Sequence, residues 1–494
     1  MSLADNTRAP LRHANRFFIG GEWVQPSTNM VIDVTDSATE QLFFSVAEAK
    51  DADISRAAAA ARRAFDEGPW PQMSHAQRAD YLRALAAELR QRVEDLGQIS
   101  PRESGVLHTI ARSLGTGCAD VFDYYAGMAG AFPFEEPATP TTGGAFGLIV
   151  REPVGVVGAI IPWNAPMVLI GYKIAPALLA GCTVVLKSSP EAPGEGYLVA
   201  EAAEAVGLPA GVLNVVTANR EVSELLVRDP RVDKITFTGS TAAGRRIASL
   251  CGERIARCTL ELGGKSAAVV LDDMDLSTAA STLASAECLL SGQVCASLTR
   301  VVVSRHRHDE LVDALTDTFS RVRVGDPFDA KTQMGPLAAS RQRDRVESYI
   351  AKGVAEGAAL AAGGGRPKGL DRGWYIEPTV FANVDNSSTI AQEEIFGPVL
   401  SVIPAEDERH AVALANDTIY GLNASVFTND VDRARTVAGQ LRSGTVGHNA
   451  FRTDFGVAFG GFKQSGIGRE GGREGLLPFL ETKTVILEGR PAGY

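Results

Sequence analysis

The sequence predicts an α/β fold with a Rossmann-type parallel sheet, a second α/β domain and a small β-rich element. Its 494 residues exceed what one ordinary hydrophobic core accommodates, so two or more domains are expected. From Gly155 onward, short apolar runs alternate with helical segments, and a second series of the same kind begins at Ser266. Strands that are separated by helices are typical of parallel sheets.

The leading third is predicted to be mostly helical, and a Rossmann-type sheet follows it. Residues 17–24 predict a strand or hairpin, and alanine-rich or leucine-rich stretches predict helices over 52–65 and 76–93. The first alternating series predicts buried strands over 156–161, 183–186, 212–216 and 234–237. Between and after these strands, helices are predicted over 168–179, 196–205, 221–227 and 241–250.

The second alternating series predicts another α/β domain. Its strands are expected over 267–271 and 301–304, and its helices over 276–290 and 309–322. Two β-rich segments, 146–151 and 479–487, fit neither series. They are candidates for a protruding sheet that mediates oligomerisation.

Composition and charge exclude several classes of function. A net charge of -11 argues against nucleic acid or an anionic membrane surface as partner, because both select clustered Lys and Arg. No apolar run approaches the length that crosses a bilayer. The six cysteines include no CxxC pair, and the seven histidines include no HExxH pair. We therefore expect no metal, reduced thiols and a cytoplasmic location.

A cysteine and a glutamate carry the first chemical signal. Cys295 ends the segment Gly292-Gln293-Val294-Cys295, and Glu261 opens Glu261-Leu262-Gly263-Gly264-Lys265. A thiolate adds to an aldehyde carbonyl, and a carboxylate can draw a proton from water to hydrolyse the resulting thioester. A lone cysteine, however, is more often a small buried hydrophobic residue, so the pair needs further context.

That context is a set of ordered motifs between about residues 17 and 487. They are Pro162-Trp163-Asn164, Lys187 at a strand end, Phe237-Thr238-Gly239-Ser240-Thr241, the two segments above, Glu393-Glu394-Ile395-Phe396-Gly397-Pro398, and Gly460-Gly461-Phe462-Lys463 to Glu470. With these motifs the sequence resembles the aldehyde dehydrogenase superfamily, of the NAD(P)-dependent, hydrolytic type that does not acylate CoA.

The resemblance implies a domain plan. A dinucleotide-binding domain is expected over 1–129 and 152–263, and a catalytic domain over 264–464. An oligomerisation element is expected over 130–151 and 478–494, and the assembly is expected to be a homo-dimer or homo-tetramer.

The resemblance also implies catalytic roles. Cys295 is the expected nucleophile, and Glu261 the expected base. Asn164 is expected to share an oxyanion hole with the backbone N–H of Cys295, although an Asn after Pro-Trp also suits a turn. Lys173 and Glu470 match positions associated with proton movement around the base, but such charges are also common as simple surface or paired groups.

Cofactor contacts are implied at several positions. The turn at Gly239 and Ser240 follows a strand and opens a helix, so its N–H groups suit a pyrophosphate. Lys187 is expected at the adenosine ribose, Glu394 at the nicotinamide ribose and Phe396 beside the nicotinamide. The remaining expected contacts are Ile161, Pro162, Trp163 and Leu262. Gly466-Ile467-Gly468-Arg469-Glu470-Gly471 satisfies GxGxxG, but we reject it because it lies outside a βαβ unit.

The residues that follow Lys187 bear on the choice between NAD and NADP. Many NAD-preferring relatives carry an acidic residue three positions after the lysine, where this chain has Pro190. Glu191 is adjacent and could substitute. No Arg or second Lys stands beside Lys187 in the sequence, which favours NAD and leaves NADP open.

The implied substrate passage is apolar. It comprises Ala165, Val168, Tyr172, Leu289, Val294, Ala296 and Phe459. We expect a medium-sized apolar aldehyde, because a semialdehyde would require a cationic side chain and a trimethylammonium aldehyde more aromatic faces. Two alternatives stay open, a CoA-acylating enzyme, against which Glu261 speaks, and a non-catalytic relative that binds the cofactor.

Overall fold

The computed structural model describes residues 9–454 and 456–494. Its strands, in chain order, are β1 Phe17–Ile19, β2 Glu22–Val24, β3 Val31–Thr35, β4 Leu42–Ala47, β5 Glu135–Ala138, β6 Phe146–Pro153, β7 Val156–Ile160, β8 Thr183–Ser188, β9 Leu213–Thr217, β10 Lys234–Thr238, β11 Arg257–Glu261, β12 Ala267–Val270, β13 Arg300–Ser304, β14 Ala359–Ala362, β15 Thr379–Ala382, β16 Val399–Ala405, β17 Asn423–Phe427, β18 Thr445–His448, β19 Gly466–Ile467 and β20 Leu480–Leu487.

Helices fill most of the intervals between the strands. They are α1 Asp51–Asp66, α2 His75–Gln91, α3 Val93–Ser104, α4 His108–Met128, α5 Pro166–Ala180, α6 Gly194–Ala205, α7 Arg220–Arg228, α8 Thr241–Glu253, α9 Leu276–Cys288, α10 His308–Ser320, α11 Ser340–Ala355, α12 Thr389–Gln392, α13 Glu408–Asn416, α14 Val431–Ala438 and α15 Gly472–Leu476. The single helix predicted over 76–93 ends at Gln91, and α3 continues from Val93.

The first sheet has the predicted Rossmann character. Its order is β19-β11-β10-β7-β8-β9-β1-β2, and the five strands from β11 to β9 run parallel. The predicted hairpin over 17–24 forms β1 and β2 at one edge. Strands β7 to β10 are buried along their whole length because helices pack on both faces. Their carboxyl ends therefore share one edge of the sheet.

The second sheet confirms the second α/β unit. Its order is β14-β15-β16-β13-β12-β17-β18, parallel except at β14. The helix predicted over 276–290 was wrong at its end, since α9 stops at Cys288. Leu290 and Ser291 adopt positive φ of 48° and 57°, which an α-helix does not allow.

The two remaining β-rich segments pair with each other. In the third sheet, β6 lies between β20 and β5, and all eight residues of β20 are in register with β6. Across the described parts of the chain, no helix combines the length and apolar character that crossing a membrane requires.

Candidate active site

The segment before Cys295 is a tight turn that tertiary contacts hold in place. After α9, the chain makes a 3-10 turn over Leu289–Gly292 in which three consecutive residues have positive φ. The Ser291 hydroxyl donates to the Gly335 carbonyl at 2.8 Å, and the Gln293 side chain accepts from the Ala338 N–H at 2.9 Å. A Cβ at Gly292 would lie 2.3 Å from the Gly397 carbonyl carbon, so only glycine fits there.

Cys295 lies in an apolar pocket with carboxylates nearby. Ala296, Leu422 and Phe459 form a small buried cluster against which Cys295 packs. Burial raises the pKa of the Cys295 thiol to about 12, and the negative charges of Glu394 and Glu261 add to that rise. The thiol is therefore neutral near pH 7 in the protein alone.

The structure brings Asn164 to the turn that carries the nucleophile. Its Nδ2 donates to the backbone carbonyl of Gln293 at 2.9 Å, two residues before Cys295. An amide nitrogen has two N–H bonds, so this contact leaves one for an oxyanion. The preceding residue, Trp163, is held through its carbonyl by the Ser104 hydroxyl at 2.7 Å. Asn164 is thus held against the turn that carries Cys295.

Ser104 also touches the nucleophile turn, a role that the sequence did not reveal. Its backbone carbonyl accepts from the Gln293 side-chain amide at 3.5 Å, while its hydroxyl binds Trp163. It lies at the end of α3 and is buried. One residue therefore links the segment of Asn164 to the segment of Cys295.

Glu261 is a buried carboxyl at the end of β11. Only 2% of its surface is exposed, and neither carboxylate oxygen has a hydrogen-bond partner among the described residues. Burial raises its pKa well above the ordinary value, with a further rise from Glu470. A Cβ at Gly460 would lie 2.6 Å from Glu261 Oε1, so glycine makes room for the carboxyl. A carboxyl in this setting is a stronger base than one in water.

Lys173 and Glu470 form a buried ion pair next to Glu261. The Lys173 ammonium donates to a Glu470 carboxylate oxygen, and both side chains are at most 3% exposed. The Thr236 hydroxyl lies 3.4 Å from the same oxygen. Backbone hydrogen bonds of 2.6 and 2.7 Å join Glu470 to Phe459. The pair therefore lies within electrostatic reach of Glu261, while its role in proton movement stays a prediction.

The carboxyl ends of the first sheet provide a polar edge that suits a dinucleotide. Gly239 lies between β10 and α8, and its N–H donates to the Glu261 carbonyl at 3.0 Å. Ser240 caps α8 by accepting from the Ala243 N–H. The Thr238 hydroxyl is buried and has no described partner. The Thr238 hydroxyl therefore lies close to the N-terminus of helix α8, where free backbone N–H groups suit a pyrophosphate.

Lys187 lies on the same edge, near the end of β8. Burial lowers the pKa of its ammonium to about 8, and the negative charge of Glu191 opposes this shift. The neighbouring strand β7 is followed by Ile161, whose N–H donates to the Lys187 carbonyl at 3.2 Å. Pro162 comes next and leads into Trp163.

Glu394 and Phe396 reach the site from the second α/β unit. Glu394 Oε1 accepts from the Gly264 N–H at 3.0 Å, and a Cβ at Gly263 would lie 2.5 Å from Glu394 Oε2. Burial raises the pKa of Glu394 to about 7. Phe396 has a φ of 64° and meets the Trp163 ring edge-on at 5.4 Å.

Helix α11 holds the Glu394 segment in place, which sequence reasoning missed. The Gln342 amide donates to the Phe396 carbonyl at 2.6 Å. Arg345 donates to the backbone carbonyls of Glu394 and Ile395 at 2.5 and 3.2 Å. These partners lie about fifty residues apart in the chain, so no local pattern signals them.

The rejected GxGxxG motif and Leu262 both lie beside strand β11. Gly466 and Ile467 form β19, an edge strand antiparallel to β11, so the motif does not open a helix after a parallel strand. Leu262, directly after β11, donates its N–H to the Ser465 carbonyl at 2.9 Å and is buried. The motif therefore lies beside the site, and its Glu470 pairs with Lys173 next to Glu261.

The predicted substrate passage is partly assembled around the nucleophile. Val294, Ala296 and Phe459 lie with Cys295 in one apolar cluster, which Phe451 joins although the sequence did not suggest it. Ala165, Val168 and Tyr172 lie at the start of α5. Leu289 instead lines a cavity of about 160 Å³ together with Leu107, Ile110 and Cys288.

Comparisons with known proteins agree with this geometry. The aldehyde dehydrogenase family model matches residues 23–485. Geranial dehydrogenase of Castellaniella defragrans is 44% identical over 473 residues, which cover 96% of this chain and 98% of that protein. An aldehyde dehydrogenase of Mycobacterium tuberculosis, complexed with NAD+, is 46% identical at a TM-score of 0.94, covering 97% of this chain and 99% of its own.

A third relative carries a substrate. Aldehyde dehydrogenase C of Pseudomonas syringae, a cysteine-to-alanine mutant in complex with NAD+ and octanal, is 37% identical at a TM-score of 0.94 and covers 98% of this chain and 99% of its own. The family match spans nearly the whole chain, and the structural similarity extends over both α/β units. This chain belongs to the aldehyde dehydrogenase family.

Proposed function

We propose that this chain oxidises a medium-sized apolar aldehyde to its carboxylic acid, with Cys295 as nucleophile and NAD as hydride acceptor. The observation that carries the proposal is the meeting of three groups from distant parts of the chain. Asn164 binds the turn before Cys295, and the charge of Glu261 acts on the Cys295 thiol. A nucleophile, an oxyanion donor and a base in one pocket suit acyl chemistry through a thioester.

In the first step the Cys295 thiol loses its proton to water, its sulfur forms a bond to the aldehyde carbon, and the π bond of the carbonyl breaks toward oxygen. Negative charge then develops on the former carbonyl oxygen, where the Asn164 amide and the Cys295 backbone N–H donate hydrogen bonds. Bound NAD supplies the acceptor for the hydride that leaves this carbon. The product of the step is a thioester on Cys295.

The second step hydrolyses the thioester with water. Glu261 takes a proton from water, the resulting hydroxide adds to the thioester carbon, and the Cys295 sulfur leaves with a proton. A raised pKa improves Glu261 as a base. The Lys173–Glu470 pair, next to Glu261, provides a route along which that proton moves onward. A functional hydrolytic base also argues against the CoA-acylating alternative.

Three features favour NAD and an apolar substrate. The Mycobacterium tuberculosis and Pseudomonas syringae relatives are NAD+ complexes, and the latter also holds octanal. The Castellaniella relative is named for geranial, a branched apolar aldehyde. The hydrophobic cluster that includes Cys295 also contains Val294, Ala296, Leu422, Phe451 and Phe459, which suits an apolar substrate.

A kinetic panel tests this proposal. We expect kcat/KM to fall in the order octanal, benzaldehyde, succinic semialdehyde with NAD, and betaine aldehyde to be poor as well. A preference for succinic semialdehyde or betaine aldehyde would overturn the apolar assignment. Absence of reduced cofactor with every aldehyde, despite binding of NAD in calorimetry, would favour the non-catalytic relative.

We further propose that the third sheet joins copies of the chain into a homo-dimer or homo-tetramer in the cytoplasm. Among the described residues, no strand pairs with the outer edge of β5 or of β20. The proposed domain boundaries, 1–129 with 152–263, 264–464, and 130–151 with 478–494, place β5, β20 and all but the last two residues of β6 in one element. Light scattering of the full chain and of a variant lacking 480–494, which removes β20, distinguishes a monomer from an assembly.

A further inference from the structure

A buried carboxyl near the end of α9 connects two segments of the site, and the proposed mechanism does not use it. Glu287 is only 1% exposed. Its Oε2 accepts from the Ser297 hydroxyl at 2.5 Å, and its Oε1 accepts from the Val399 N–H at 3.1 Å. Each oxygen of this carboxyl is therefore bound to a different segment of the chain.

The two segments carry different groups of the proposed reaction. Ser297 lies two residues after Cys295 and ends the nucleophile segment, 292–297. Val399 is the first residue of β16 and ends the nicotinamide segment, 393–399, which contains the residues predicted at the nicotinamide and its ribose. One side chain thus holds the nucleophile segment and the nicotinamide segment together.

The backbones of these two segments are already in close contact. A Cβ at Gly292 would lie 2.3 Å from the Gly397 carbonyl carbon, so the chains cannot come closer at that point. Such a contact sets the shortest distance between the segments but does not prevent their separation. The hydrogen bonds through Glu287 do prevent it, because breaking them would leave buried polar groups without partners.

A buried ammonium also faces this carboxyl. Lys265 is 1% exposed, and its Nζ has no hydrogen-bond partner among the described residues. Burial raises the pKa of Glu287 to about 7, and the Ser297 hydrogen bond and the positive charge of Lys265 oppose that rise. Glu287 therefore has two features that substitutions can separate, its pair of hydrogen bonds and its charge toward Lys265.

We propose that Glu287 is a positioning residue for hydride transfer, because its two hydrogen bonds hold the nucleophile segment at a fixed distance from the nicotinamide segment. This inference rests on the proposed function, since it assumes that the aldehyde carbon is bound to Cys295 when the hydride leaves. A misplacement of about 1 Å can cost about 10²-fold in rate. Hydrolysis of the thioester uses Glu261 and water instead, so it should be less sensitive to this distance.

The test uses Glu287→Met and Glu287→Gln in the full chain. Methionine has a similar volume but forms neither strong hydrogen bond. Glutamine keeps both, because its carbonyl accepts from the Val399 N–H and its amide donates to the Ser297 hydroxyl, which can turn. Stopped-flow absorbance gives the rate of the burst of reduced cofactor, with NAD and the aldehyde of highest kcat/KM, and the same aldehyde deuterated at its carbonyl carbon gives the isotope effect.

The two variants should differ in the burst. Glu287→Met is expected to slow it by about 10–10²-fold with an isotope effect at least as large as that of the unaltered chain, because hydride transfer then limits the burst. Glu287→Gln should stay within about threefold of the unaltered rate. Ser297→Ala removes one bond and leaves Glu287 in place, so it tests the proposal even where Glu287→Met fails to fold, and it should slow the burst by about fivefold.

Glu201→Met is the matched control. Glu201 is also 1% exposed, and its carboxylate accepts from the backbone and side chain of Arg12 at 2.7 and 3.2 Å, on α6. Its replacement should lower the thermal unfolding temperature and leave the burst unchanged. An unchanged burst in both Glu287→Met and Ser297→Ala, or a slower burst without an isotope effect, would overturn the inference.

Two further outcomes are distinct. An equal slowing in Glu287→Gln and Glu287→Met would show that the charge facing Lys265 matters and the two hydrogen bonds do not, which would also overturn the inference. An unaltered chain that binds NAD but reduces it with no aldehyde would instead refute the proposed function.

Discussion

Replacing Glu261 with glutamine should separate the two proposed steps of the reaction. The amide has nearly the same size as the carboxyl, so it fits the space that Gly460 leaves beside Oε1. It cannot accept a proton from water at neutral pH. Hydride transfer should therefore proceed once, and the enzyme should stall as a thioester on Cys295.

The expected magnitude follows from the surroundings of Glu261. A positioned general base contributes about 10²–10⁴-fold in rate. The neighbouring carboxylate of Glu470 is bound by Lys173 and is a poor substitute. We therefore expect steady-state turnover to fall by about 10²–10⁴-fold, while a burst of about one reduced cofactor per active site remains.

The pH dependence has a definite sign. Because burial raises the pKa of Glu261, hydrolysis in the unaltered enzyme should accelerate as pH rises through that pKa and the carboxyl loses its proton. Glu261→Gln should remove this rise. The substitution also removes a negative charge that raises the pKa of Cys295, so the burst at a given pH should be no slower.

Stopped-flow absorbance of the reduced cofactor measures burst and steady state together, and mass spectrometry of the quenched enzyme detects the thioester. A variant with no burst and no covalent adduct, yet with normal NAD binding, would show that Glu261 acts before the thioester forms. An unchanged steady-state rate would show that it is not the base at all.

Three further substitutions probe the remaining parts of the site. Cys295→Ala should abolish turnover and the burst but change the NAD Kd by less than about threefold, measured by calorimetry, since the thiol is not predicted to bind cofactor. Gly460→Ala should push a methyl group to 2.6 Å from Glu261 Oε1 and slow hydrolysis more than the burst in the same stopped-flow assay. Ser104→Ala removes the 2.7 Å bond to Trp163 and should lower kcat about tenfold with little change in the aldehyde KM, whereas Ser104→Thr should restore most of it.

The sequence predicted the sheets well because burial on both faces leaves long apolar runs. It was weaker at their ends, where polar residues continue a strand. Lys187 and Ser188 extend β8 beyond the predicted 183–186 because their backbones pair with β9. The helix predicted over 276–290 stopped early for a related reason. Positive φ at Ser291 depends on a carbonyl of Gly335, which lies 44 positions away and cannot be seen in local periodicity.

The same distinction applies to the site. The residues proposed to carry the chemistry were picked out because the motifs of the family surround them. Residues that orient those groups were missed, since Ser104, Gln342 and Arg345 bind through backbone carbonyls of distant segments. Such contacts orient the site, but every residue has a backbone carbonyl, so the type of the accepting residue does not reveal them. Glu191 was considered from its position in the sequence, but only the fold shows that Arg341 is its partner.

The electrostatics of the pocket indicate when Glu261 acts. The charge of Glu261 raises the pKa of Cys295, so an ionised Glu261 opposes the thiolate that the first step requires. After the thioester forms, the sulfur has no proton to lose and carries no charge. The repulsion between the two groups then disappears, because Cys295 carries no negative charge that an ionised Glu261 would destabilise. An ionised Glu261 and an ionised Cys295 are therefore unfavourable together, whereas an ionised Glu261 beside the thioester meets no such repulsion.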